Sequence, residues 1–132
     1  MREMISGLSG TSIFVVEDEA IVALDLQTML EDAGAEVVGP VGTLPEAEML
    51  SQNENISLAI LDVRLNQDAI TTVADRLSAR RIPIIFHTGH STSEILTVRW
   101  PGCKVLHKPV DPLELMAIVC GLLGRSPKAI NE

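Results

Sequence analysis

The chain has 132 residues, enough for one compact domain with a real core and too few for a second of ordinary size. Its formal net charge of -8, from 18 acidic and 10 basic residues, argues against nucleic-acid binding, which needs clustered Lys and Arg for phosphate. Nearly half the chain is apolar, yet Phe14, Phe86 and Trp100 are its whole aromatic set, so the core is expected to be built from Val, Ile, Leu, Ala and Met, a palette suited to a buried parallel sheet under helices.

Short β-branched runs alternate with longer amphipathic segments. Ser12 to Val16 is apolar without alternation, as in a strand covered on both faces. Glu17-Asp18-Glu19 ends it. Ala20 to Ala33 is then predicted helical, with Ile21, Leu24, Met29 and Leu30 as its apolar positions and Gly34 as its stop. Glu36 to Val41 is the second strand. Thr43 caps a helix reaching about Gln52, with Pro45 tolerated in its first turn. Ser57 to Leu61 forms the third strand and runs into Asp62. A polar loop precedes a helix over Ala69 to Ala79, and Pro83 to His87 is the fourth strand. Ser91 to Val98 is a short helix rich in Ser and Thr. Cys103 to His107 is the last strand, and Pro112 to Leu123 the last helix, capped by Asp111. Met29, Met49 and Met116 are expected in the core. The domain is expected to span 10–124, with short tails over 1–9 and 125–132.

Five strands alternating with five helices imply right-handed βαβ units and a parallel sheet. The expected class is α/β, a three-layer flavodoxin-like sandwich. No run approaches the ~20 apolar residues of a membrane span, and Met1-Arg2-Glu3-Met4 is too polar to open a secretory signal. Cys103 and Cys120 fit neither a disulfide framework nor a zinc spacing. They are expected as reduced thiols, and the protein as cytoplasmic, with neither a membrane nor nucleic acid among its partners.

In an open parallel sheet, sites form beyond the carboxyl ends of the strands. Glu17-Asp18 closes the first strand, Asp62 the third, Thr88 the fourth and Lys108-Pro109 the fifth. Three carboxylates, a hydroxyl and an ammonium would thus converge on one rim. Each also has a plainer explanation. The acidic run could cap the first helix and favour its positive end, although one acid would do that and three repel one another. Asp62 could cap a loop, although a carboxylate at the mouth of a buried strand needs a solvating partner. Thr88 before Gly89 is ordinary turn chemistry. A Lys closing a buried strand calls for an anion, and X-Pro bonds are where cis peptides occur. The conjunction, each residue at a strand end, separates a site from these.

On those residues the chain resembles bacterial response-regulator receiver domains, over about Ser12 to Leu123. Their pattern is an acidic pair after the first strand, an acceptor Asp after the third, Thr or Ser after the fourth and Lys-Pro after the fifth. Leu61 to Leu65 and Ile82 to His90 further resemble a subgroup with Phe-Ala-Thr-Gly at the fourth strand, many of whose members are stand-alone receivers. His87 replaces the Ala of that motif. The resemblance implies strand order 2-1-3-4-5 and phosphorylation of Asp62, with Thr88 and Lys108 contacting the phosphoryl group. It also implies Mg²⁺ held by Glu17, Asp18, Asp62 and the backbone carbonyl of Arg64, and Pro109 as the cis proline. The implied partners are a histidine kinase or phosphotransfer protein and an unidentified downstream protein, with a homodimer left open. Two features depart from the pattern. Val105 stands where an aromatic switch residue is common, so a modest or differently routed surface change is expected. Leu65-Asn66-Gln67-Asp68 replaces the usual Pro and Gly after the acceptor.

Other classes fit less well. A haloacid-dehalogenase-type hydrolase would place its nucleophile after the first strand as Asp-x-Asp, and needs a cap domain. A flavodoxin-like cofactor binder needs Ser, Thr and Gly after the first strand, where Glu17-Asp18-Glu19 would repel phosphate. A degenerate receiver acting as a phosphorylation-independent interaction module is the nearest rival. His87, His90 and His107 have no Cys or carboxylate at ligand spacing and do not suggest a transition-metal site.

Overall fold

The computed structural model describes residues 7–63, 67–89 and 93–125. The strands are β1 (Ser12–Val16), β2 (Glu36–Val41), β3 (Leu58–Asp62), β4 (Ile84–Thr88) and β5 (Lys104–His107), and the helices are α1 (Ala20–Asp32), α2 (Leu44–Leu50), α3 (Gln67–Ala79), α4 (Ser93–Arg99) and α5 (Pro112–Leu122). All pairings are parallel, in the order β2-β1-β3-β4-β5. The fold is the expected three-layer flavodoxin-like sandwich.

Alternate strand positions feed two cores, as a period of two requires. Phe14, Val16, Ala59, Leu61, Ile84 and Phe86 pack with Ala47, Val73, Leu77, Leu96 and Trp100 on the α2–α3–α4 side. Ile13, Val15, Leu58, Ile60, Ile85 and Leu106 pack with Leu26, Leu30, Leu115 and Val119 on the α1–α5 side. β1, β3 and β4 are buried along their whole length, which is why their sequences are continuously apolar rather than alternating.

Local chemistry sets the element ends. The Thr43 hydroxyl accepts from the Glu46 N–H at 3.4 Å, and the Asp111 carboxylate from the Leu113 N–H at 3.1 Å. Gly34 turns the chain out of α1 with φ +100°, a conformation that costs a residue without Cβ little.

Several expectations are corrected. In α1 the buried residues are Leu26 and Leu30, while Ile21 and Leu24 are 77% and 60% exposed. The helix opens with more apolar side chains than one face can bury, and the sheet takes the stripe through Val22, Leu26, Met29 and Leu30. Met49, expected in the core, is exposed. Leu8, placed in the expected tail, is fully buried in the α1–α5 core, and its N–H donates to the Ala33 carbonyl at 2.9 Å. Arg125 donates to the Gly7 and Ser9 carbonyls at 3.1 and 2.9 Å. The packed domain therefore includes residues 7–9 and Arg125. Arg80 donates to the Ser51 and Asn53 carbonyls, both at 2.7 Å, and Arg76 to the Ser51 hydroxyl at 3.3 Å, tying α3 to the end of α2.

Candidate functional site

The order 2-1-3 makes β1 and β3 neighbours from which the chain departs in opposite directions, the place where open α/β sheets leave a crevice. Glu17 follows the last residue of β1, and Asp62 is the last residue of β3. Strand alternation turns Glu17, Asp62, His87 and Lys108 toward the α1–α5 side. Carboxylate oxygens of Glu17, Asp18 and Asp62 lie within 4.8 Å of one another. Gly42 lets the β2–α2 loop run close to this cluster. A Cβ there would lie 3.3 Å from the Asp18 Cα.

Burial differs sharply within the trio. Glu17 and Asp62 are 3% and 0% exposed, whereas Asp18 faces solvent. Lys108 reaches in from the end of β5, its Nζ donating to Glu17 Oε2 at 3.3 Å and to Asp62 Oδ2 at 3.2 Å. It also lies 3.6 Å from Glu19 Oε1. One ammonium thus serves three carboxylates. The sequence marked Lys108 as needing an anion, and the fold supplies anions in excess.

The titrations follow from this crowding. For Glu17, burial pushes the carboxyl up, but the approach of His87, the Glu19 N–H, Asp62 and the Lys108 charge together hold it below its ordinary value of 4.5. For Lys108, burial works against the charge, yet Asp62 and Glu17 outweigh it and lift the ammonium above 10.5. The excess of buried negative charge is what a hard divalent cation relieves. Clustered carboxylate oxygens with one member open to solvent suit Mg²⁺, which keeps several waters and shares its shell with phosphate. The donor set fits that ion.

Thr88 ends β4 and is 1% exposed, and its carbonyl accepts from the Lys108 N–H at 2.8 Å. That bond joins the strand ends carrying the hydroxyl and the ammonium. The Lys108–Pro109 peptide is cis. Val105 is half-buried on β5 and packs against the α2–α3–α4 core, away from the carboxylates. Arg64 and His90 lie outside the described residues.

Two features were not foreseen. The acidic run does not cap α1 through Glu19, whose side chain makes no capping bond. Instead Glu17 Oε2 accepts from the Glu19 N–H at 3.1 Å. His87, dismissed from its sequence neighbours, is 3% exposed, with Nδ1 3.4 Å from Glu17 Oε1. Period-two parity along β4 was the available signal, since it places position 87 on the same face as Asp62. Beside His87 a groove of about 870 Å³ opens between α1 and the β5–α5 loop, lined by Val22, Leu26, Met29, Lys108 and Pro109.

Comparison with known proteins agrees with this geometry. Residues 13–120 match the response regulator receiver domain family. The phyllosphere-induced regulator PhyR of Methylorubrum extorquens is 27% identical over 121 residues, covering 89% of this chain and 45% of PhyR. A response regulator receiver protein from Sinorhizobium medicae superposes with TM-score 0.71 at 28% identity, covering 86% of this chain and 94% of that one. The anti-anti-sigma factor PhyR of Bartonella quintana gives 0.73 at 31% identity, over 86% and 48%. The chain spans about half the length of the curated relatives it matches.

Proposed function

Because this chain belongs to the response regulator receiver domain family, we propose that it is the phosphoacceptor switch of a two-component system, taking a phosphoryl group onto Asp62 from a histidine kinase or phosphotransfer protein. The observation that carries this reading is the convergence of Glu17, Asp18, Asp62 and Lys108, with the three carboxylates within 4.8 Å.

Asp62 is the nucleophile. Its carboxylate oxygen bonds to the phosphorus of a phosphohistidine as the P–N bond breaks, and the released imidazole takes up a proton. Glu17, Asp18 and Asp62 would hold Mg²⁺, with the Arg64 carbonyl as a further donor, and that ion when bound offsets repulsion between carboxylate and phosphoryl oxygens. Lys108 is already shared between Asp62 and Glu17, so a phosphoryl oxygen competes for an ammonium that is in place. The Thr88 hydroxyl donates to another phosphoryl oxygen, and Lys108 and Thr88 supply the differential contacts without which no ligand shifts a conformational equilibrium. The phosphorylated form then acts on a separate downstream protein or passes the group along a phosphorelay.

The test is incubation with a small phosphodonor and Mg²⁺ followed by intact mass. One added phosphoryl group is expected, absent without Mg²⁺ and absent in Asp62→Ala. A wild-type mass that never changes would instead favour a phosphorylation-independent interaction module.

A further inference from the structure

His87 is the one buried side chain at the site whose ring nitrogens both lack a formed hydrogen bond among the described residues, and Glu17 Oε1 is in the same condition. The two groups face each other, Nδ1 to Oε1, at 3.4 Å. Were Nδ1 bare, two lone pairs would oppose each other in a buried space, and each unmet group costs about 1–3 kcal/mol. A proton on Nδ1 meets the Nδ1 and Oε1 deficits together once the pair, already 3.4 Å apart, aligns and closes, and it leaves Nε2 as the bare acceptor of the ring. Hydrogen positions follow from such networks. An apolar side chain at position 87 would carry no such cost, since Leu106 of β5 is its register partner and belongs to the α1–α5 core.

Glu17 has two oxygens, and among the described residues formed hydrogen bonds are seen at only one. Oε2 accepts from the Glu19 N–H and from Lys108. Oε1 has His87. We infer that His87 is a positioning residue, its Nδ1–H fixing the Glu17 carboxylate so that the cation is received by a preset acid rather than one that must be ordered on arrival. This rests on the reading of the site as a Mg²⁺ centre. His87 does not join the three acids within ligating range, so its effect passes through Glu17. Partners that orient ligating groups are commonly worth 10- to 100-fold in metal affinity.

The test is calorimetric Mg²⁺ titration of the wild type, His87→Leu and His87→Asn, with circular dichroism confirming the fold. Leu fills comparable volume without a donor, and is expected to bind about 10-fold more weakly. Asn, whose amide nitrogen lies near the place of Nδ1, is expected to recover most of that loss. A purely packing role predicts the reverse order, because Leu packs better. In the metal-free protein, imidazole ¹⁵N shifts should show a proton on Nδ1 whose resonance moves in Glu17→Gln. If the Leu variant binds as tightly as wild type, or if Nδ1 carries no proton, the role of His87 is overturned while the Mg²⁺ site stands. A wild type that takes no Mg²⁺ overturns the site reading and with it the consequence for the ion. Should the Leu variant not fold, the nitrogen spectrum decides.

Discussion

Glu17 is a carboxylate with almost no water around it, kept ionised by neighbours rather than by solvent. Its folded value lies below the ordinary one. Its contribution to stability is therefore complete above the ordinary value of 4.5 and is lost as pH falls through the folded value. Lys108 is its mirror, raised above 10.5, with its contribution complete below that value and lost as pH rises through the folded one. Urea midpoints measured without Mg²⁺ along the acid limb should fall more steeply for wild type than for Glu17→Gln. Parallel limbs would mean that the carboxylate draws nothing from its partners. The same crowding bears on the proposed phosphotransfer, because a single ammonium shared by several acids would have to leave some of them on meeting a phosphoryl group. Residues of this kind resist reading from sequence. Glu17 and Asp18 are adjacent acids in the chain, and only the fold makes one buried and the other exposed.

At the scale of elements, strand ends and the turns after them decide the function. β2 meets β1 through an irregular register between Phe14 and Val16, and Gly39 sits in that stretch with φ +103°. A Cβ there would come within 2.9 Å of both the Val15 carbonyl oxygen and the Val41 N. Gly39→Ala is expected to cost at least about 2 kcal/mol, as strain at a left-handed position with backbone on both sides. The same change should disturb the Glu17 N–H bond to the Val41 carbonyl, so Mg²⁺ affinity should fall with stability. Chemical denaturation read beside calorimetry checks both, and an unchanged midpoint would show that the strand can shift to make room. The hydrophobic pattern located every element to within a few residues. In α1 it placed Met29 and Leu30 correctly and missed at the first turns, where Val22 and Leu26 rather than Ile21 and Leu24 face the sheet.

For the whole molecule, the proposed phosphorylation of Asp62 would need a route from the strand ends to the surface. Phe86 lies two residues before Thr88 on β4 and meets Trp100 with ring centroids 5.1 Å apart. The Trp100 indole N–H donates to Asp75 at 2.8 Å, and Arg99 donates to the same carboxylate. This packing joins β4 to α3 and the end of α4, whereas Val105 offers no ring on β5. Amide-shift maps with and without beryllofluoride are expected to show their largest changes at the ends of β3, β4 and β5, with a modest response around Val105. A large rearrangement centred on Val105 would refute this.

The sequence by itself determined the alternation of elements, the parallel sheet and the chemistry assembled at the strand ends. Those properties follow from local patterning, and from the rule that sites form where parallel strands end. Only the tertiary structure decided that Lys108 is shared by Glu17 and Asp62, 91 and 46 positions away, that Glu17 is buried while Asp18 is not, and that His87 faces a carboxylate. Partnership across neighbouring strands depends on face and on register; period-two spacing indicates the face within a strand, but which residues the register sets side by side is not written along the chain.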